Sequence, residues 1–276
     1  MAFLLEALDK RERTLYIVIR TLLVPQDVRI RRAPVYRWKW SKDRKMDVSG
    51  LQKLTLLDYP GRVACTIFTG GCDLRCPFCH NASLALPERE SDSMELDDLL
   101  AFLRKRQGVL DGVAVTGGEP LMHPGIADVL GEIKALGYSV KLDTNGTFPK
   151  RLREIVEAKL ADRVAMDIKA APENYGRLVG IPGYDIAPIR ESAEYLMGCG
   201  VDYEFRTTAV KGLHTRADFE GIAQWIAGAK EYYIQEFKDS GDLIAGQGLD
   251  GFTEAEMHAL AEVVRPLVPS VQVRGI

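Results

Sequence analysis

From Arg62 onward the chain alternates short runs of β-branched and apolar residues with longer stretches whose apolar residues recur every three or four positions. The short runs, at 62 to 68, 112 to 116, 139 to 144, 163 to 168, 203 to 208 and 232 to 237, predict six strands. Helical periodicity falls near 95 to 107, 124 to 137, 149 to 161, 186 to 198, 215 to 228 and 253 to 266. Strand and helix in strict alternation is the pattern of βα units around a parallel sheet, so the fold class is α/β. Six units are too few to close an eight-stranded barrel. The expectation is a partial, open (β/α)6 TIM-like barrel, with reactive groups gathered where strands end.

Composition agrees with this and adds one asymmetry. With 276 residues, 46% hydrophobic and 27% charged, the chain can bury one sizeable core. No apolar run approaches the roughly 20 residues of a membrane span, so no membrane partner is expected. The net charge of -3 hides a division, because residues 1 to 45 hold 12 Lys+Arg against 5 Asp+Glu, leaving 24 and 34 for the rest. Residues 1–45 read as a basic extension, either a disordered or loosely packed tail or the product of a mis-assigned start with Met46 as the true one, and 46–276 as the domain. The interleaved basic and aromatic residues of RIRRAPVYRWKWSKDRK are a nonspecific signal. Nucleic acid is not an expected partner, and the extension is assigned no function.

Candidate chemistry is concentrated in GGCDLRCPFCHN (70 to 81), where Cys72, Cys76 and Cys79 have a C-x3-C-x2-C spacing. Three thiolates on one loop can hold a cubic iron-sulfur cluster while leaving one iron open to a small ligand. A structural zinc site wants four closed ligands, usually in two separated pairs, and no second pair exists in the sequence. Five cysteines in 276 residues make a sparse disulfide framework, and the expected compartment is a reducing cytoplasm. Cys65 and Cys199 read as small buried hydrophobes.

Further polar motifs sit at predicted strand ends. TGGEP (116 to 120) ends the second run, where Gly117 and Gly118 admit close backbone approach and Glu119 offers a carboxylate to an ammonium group. DTNG (143 to 146) ends the third and DIK (167 to 169) the fourth, supplying Asp143, Asn145, Asp167 and Lys169. Arg206 closes the fifth run. Taken singly, these strings are equally ordinary turns, solvated strand ends or a surface ion pair.

In order and spacing they resemble the radical S-adenosylmethionine (SAM) superfamily. The stretches LQKLTLLDYPGRVACTIFTGGCDLRCPFCHN, DGVAVTGGEPL, VKLDTNGTFP, DRVAMDIKA and YEFRTTAV are together similar to anaerobic ribonucleoside-triphosphate reductase activating proteins, in the branch of pyruvate formate-lyase activase. The resemblance implies one 4Fe-4S cluster on Cys72, Cys76 and Cys79, whose open iron chelates the SAM amino and carboxylate groups. Gly117, Gly118, Glu119, Asp143, Asn145, Asp167, Lys169 and Arg206 would then contact SAM, with a monovalent cation admitted near Asp143 and Asp167. It implies reductive cleavage of SAM to methionine and a 5'-deoxyadenosyl radical, which takes hydrogen from a glycine Cα of a partner glycyl radical enzyme. A flavodoxin or ferredoxin type protein would be the reductant. The alternatives are a radical SAM enzyme acting on a small molecule and a non-catalytic iron-sulfur electron carrier. His80 and Asn81 match the family's CHN without an assigned role.

Overall fold

The structure, a computed structural model, describes residues 46, 48–86, 93–239 and 241–276. The basic extension of residues 1–45 therefore lies outside the described residues. Among these, eight strands form one sheet in sequence order: β1 (Val48–Thr55), β2 (Ala64–Thr69), β3 (Gly112–Gly117), β4 (Ser139–Thr144), β5 (Arg163–Asp167), β6 (Asp202–Ala209), β7 (Tyr232–Glu236) and β8 (Val271–Arg274). β1 pairs with β2 antiparallel, and every later neighbour is parallel. The helices are α1 (Ala82–Ala85), α2 (Leu96–Arg106), α3 (Ile126–Ala135), α4 (Pro149–Glu157), α5 (Tyr175–Leu178), α6 (Ala187–Cys199), α7 (Arg216–Trp225) and α8 (Glu254–Val264).

The open α/β barrel stands, with two strands more than the six expected. β8 has only four residues, alternates Val with Gln272 and Arg274, and sits at the sheet edge, so it carries little hydrophobic signal. β1 differs in direction and precedes the first βα unit. It lies beside β2 as the opposite edge, and its central residues Gln52, Lys53 and Leu54 are exposed, which masks its strand character. The six expected helices are all present, with ends within four residues of those predicted; the largest difference is α4, which stops at Glu157 rather than 161.

The period of two along each strand sorts residues between two environments. Val113, Val115, Val140, Leu142, Val164, Met166, Tyr203, Phe205, Tyr232 and Ile234 are buried in a continuous apolar core with Leu130, Ile155, Leu196, Phe219 and Met257 of the helices. The alternate residues Thr66, Phe68, Thr116, Asp143, Asp167, Arg206, Thr208 and Gln235 instead line one cavity, which shows that the sheet curls around it. Helix starts are fixed locally. Thr215 with Asp218 and Thr253 with Glu256 form capping boxes at α7 and α8, satisfying amides that the helices leave unpaired. Gly200, at φ 81, ends α6 in the left-handed region.

Beneath the cavity the barrel interior is charged rather than apolar. Glu204, fully buried, accepts from Arg163 at 2.8 Å and from both guanidinium nitrogens of Arg274 at 3.1 and 3.2 Å. Arg163 also reaches Asp202 and Glu231, so both signs are paired. Burial raises the Glu204 carboxyl, but the Arg274 and Arg163 guanidiniums outweigh it and hold the group below the ordinary carboxylate value. A lowered native pKa means that this stabilisation is present at neutral pH and is lost as pH falls through it. Replacing Glu204 by Gln takes the carboxylate from Arg274 and one of three from Arg163, and is expected to cost about 3 kcal/mol at pH 7, less below pH 4. Urea unfolding at the two pH values checks this, and equal loss at both contradicts it.

Candidate cluster and cofactor site

The three motif cysteines lie on the loop that leaves the C-terminal end of β2. Cys72, Cys76, Phe78, Cys79, His80 and Asn81 line the same cavity as Gly117, Gly118, Asp143, Asn145, Asp167, Lys169 and Arg206, with a volume of about 410 Å³. All the predicted site residues except Glu119 are thus brought to one cavity.

The loop is held against the sheet by backbone. Gly118 N donates to Thr69 O at 2.9 Å and Glu119 N to Gly71 O at 2.8 Å. A Cβ on Gly117 would meet Thr69 N at 2.2 Å, and one on Gly118 would meet Gly71 O at 1.8 Å. Gly117 also has φ 127, where side chains are strained. Both glycines are therefore required by the approach of the cysteine loop itself, independently of any ligand. Asn81 Nδ2 completes the junction by donating to Gly117 O at 3.2 Å, which gives the CHN motif a role the sequence left open. His80 stacks on Phe237 with ring centroids 5.2 Å apart.

Glu119 departs from the expectation of a carboxylate offered to a ligand. It is fully buried and turned into the junction between β3 and β4, where Leu121 N and Thr144 Oγ1 donate to Oε1 at 2.9 and 2.8 Å and Asn145 N donates to Oε2 at 2.7 Å. It acts as a bracket. The bracket places Asn145, whose Nδ2 lies 2.9 Å from Asp73 Oδ1 and 3.8 Å from Cys72 Sγ.

The remaining charges form a chain across three strands. Lys141 Nζ donates to Asp143 Oδ1 at 2.5 Å, and Arg206 Nη1 to Asp143 Oδ2 at 3.0 Å. Arg206 Nε donates to Asp167 Oδ1 at 3.0 Å, and Lys169 Nζ to Asp167 Oδ2 at 2.8 Å. Burial raises the Asp167 carboxyl, yet the Lys169 and Arg206 charges win and bring it down to about 2. Lys141, missed as a site residue, was hidden because a lysine inside a strand reads as a solvated face; here it is 1% exposed. His214 was also missed. Its Nε2 lies 2.8 Å from Lys169 O and its Nδ1 accepts from Val210 N at 3.1 Å, fixing the turn that carries Lys169.

The donor set fits a cluster. Burial pushes the Cys72 thiol up to about 12 and that of Cys76 to about 11, and raises Cys79, so these sulfurs keep their protons until a cationic group takes them. Among the described residues no three His, Cys, Asp or Glu side chains are drawn together to hold one metal ion. The thiols ring a cavity instead. A further monovalent cation beside Asp143 and Asp167 would have to share oxygens that each already accept from a cationic nitrogen.

The family model for the radical SAM superfamily matches residues 66–226, from β2 through α7. The chain belongs to the radical SAM superfamily. Members use a 4Fe-4S cluster and SAM, which the cysteine loop and cavity accommodate. A Methanocaldococcus jannaschii protein that carries the name of a glycyl-radical enzyme activating enzyme is 31% identical over 240 residues, covering 83% of this chain and 96% of the relative. The 7-carboxy-7-deazaguanine synthase of Methanopyrus kandleri is 29% identical over 217 residues, 70% of this chain and 81% of the relative. Among solved structures, Streptococcus suis SuiB bound to S-adenosylmethionine superposes with a TM-score of 0.59 at 16% identity, over 74% of this chain. The chain spans about half of that structure, at 48%, and the likeness there is one of fold. Among the described residues no helix is long and apolar enough to cross a membrane.

Burial lifts the Glu119 carboxyl to about 8, with the Asn145, Thr144 and Leu121 donors working against it. A raised native pKa makes its contribution largest below the ordinary carboxylate value and lost as pH rises toward 8. Glu119→Gln turns an amide nitrogen toward these donors and should cost about 1–3 kcal/mol at pH 5. The decline in wild-type stability between pH 5 and 8 should flatten in the variant. Thermal unfolding across that range checks both, and parallel curves for the two proteins contradict the bracket.

Proposed function

We propose that this chain is an activating enzyme that installs a glycyl radical on a partner enzyme, with anaerobic ribonucleoside-triphosphate reductase as that partner. The observation that carries the reading is the likeness to the Methanocaldococcus relative over 83% of this chain and 96% of its own length. The open sheet supports it. β1 and β8 are edges, so a partner's loop has a way in that a closed barrel denies.

In this reading Cys72, Cys76 and Cys79 hold the cluster, and Asn81 and Asn145 fix the loop from either side. When bound, the cluster supplies the electron that breaks a carbon–sulfur bond of SAM, delivered from a flavodoxin or ferredoxin type donor. Lys141, Lys169 and Arg206 outnumber Asp143 and Asp167 by one charge, which suits the SAM carboxylate. The Gly117 and Gly118 backbone borders the space for its amino group. Holding SAM in one pose against the target hydrogen is the protein's contribution to rate. The domain is taken as 46–276.

A second reading, an enzyme acting on a small molecule, is favoured by the likeness to the Methanopyrus synthase, because cofactor motifs alone do not distinguish substrates. Anaerobic reconstitution should give one 4Fe-4S cluster, lost in Cys72→Ala, Cys76→Ala and Cys79→Ala and kept in Cys199→Ala. Wild-type iron content in all three variants contradicts the cluster assignment. Under reduction the protein should release methionine from SAM, which a mere electron carrier does not do. Incubated with anaerobic ribonucleoside-triphosphate reductase it should then produce a glycyl radical signal in electron paramagnetic resonance. Methionine release without that signal, for this or any other glycyl radical enzyme, transfers support to the small-molecule reading.

A further inference from the structure

Lys141 is an inward-facing residue of β4, 1% exposed, placed between buried Glu204 below and Asp143 above. Burying an ammonium is costly unless its charge is answered, and here Asp143 answers it at 2.5 Å. The consequence concerns the whole acidic pair. The two carboxylates have four oxygens, and each accepts from a different cationic N–H: Lys141 and Arg206 on Asp143, Arg206 and Lys169 on Asp167. A bound potassium or sodium ion would have to share those oxygens with the cationic N–H groups already on them. It also adds a like charge to a group that already carries one surplus positive charge, in surroundings where repulsion is stronger than in water.

We propose that Lys141 is a positioning residue whose ammonium stands where a diffusible monovalent cation would sit beside Asp143, so that SAM binding by this chain needs no potassium or sodium. The inference rests on the reading of this cavity as the SAM site. A tethered ammonium is present at a fixed geometry whatever the salt, and it holds Asp143 so that its second oxygen orients Arg206. Arg206 in turn sets Asp167 and, through it, Lys169. Loss of Lys141 leaves one oxygen of Asp143 without a cation and opens the place for an ion.

The test is anaerobic calorimetric titration of SAM into the full-length, cluster-reconstituted protein in potassium chloride, sodium chloride and tetramethylammonium chloride at equal ionic strength. The wild-type dissociation constant is expected to agree within about twofold in the three salts. Lys141→Met should bind SAM roughly tenfold more weakly in tetramethylammonium and recover in potassium or sodium. A wild-type protein that requires potassium or sodium overturns the proposal, and this arm decides even where the variant does not fold. Equal weakening of the variant in all three salts also overturns it, because a purely structural lysine behaves that way. Binding by the wild type in none of the salts removes the SAM-site reading together with this inference, whereas a salt requirement removes this inference alone.

Discussion

The structure turns on the contact between two glycines at the end of β3 and the backbone that leads into the cysteine loop. Gly118 packs so closely on Gly71 O that even a methyl group is excluded, and Gly117 does the same against Thr69. This contact fixes where the loop leaves the sheet, and so where three thiols point. Glu119 extends the constraint sideways by gathering amides from both the β3 and β4 loops. Asn145 and Asn81 then reach the cysteine loop from opposite sides. A short run of five residues thereby couples two strand ends to the cluster loop, and its chemistry is that of close packing and satisfied donors before it is that of a ligand site.

A second constraint comes from the barrel interior. Small parallel barrels usually fill their centres with branched apolar side chains. Here the inner positions of β4, β5 and β6 carry Lys141, Asp143, Arg163, Asp167, Glu204 and Arg206, arranged so that each charge meets an opposite one. Such an interior is costly to build and gains little stability over an apolar one. Its gain is geometric, because ion pairs hold Arg206 and Lys169 in fixed positions at the cavity wall. The apolar core is displaced to the outer side of the strands, under the helices.

These two constraints explain what was legible in the sequence. The parallel strands β2 to β7 and the six long helices could be read because their outer faces supply the core and so carry strong periodicity. β8 was too short and too polar, and β1 ran in the opposite sense outside the βα rhythm. The cysteines and the strand-end carboxylates were visible as spacing. Their partners were not, since nothing in a string distinguishes Lys141 from a surface lysine, or marks His214 as the support of Lys169 O across 45 residues. Glu119 was found for the wrong local reason. Its motif was conspicuous, yet burial and three donors make it a bracket.

The charge chain and the cysteine loop meet at Lys169, and this junction shows how the site is prepared for thiolates. Burial works against ionising each of the three loop cysteines, and the opposing influences differ between them. For Cys76 the Lys169 ammonium lowers the thiol, and for Cys79 the Asn81 amide and then Lys169 do so. For Cys72, the Leu74 amide donates to sulfur at 3.4 Å and Asn145 Nδ2 approaches at 3.8 Å. Fixed positive charge and oriented amides are the two ordinary means of favouring a thiolate. Lys169 serves two anions at once, since Asp167 holds it in place while its field reaches the sulfurs. The turn beneath it is fastened by Tyr175, which accepts from Lys169 N at 3.2 Å, and by His214 on Lys169 O. A lysine so tightly held acts as part of the scaffold. Its charge is available to the cluster loop without the entropic cost of ordering a long, flexible side chain when the cofactor arrives.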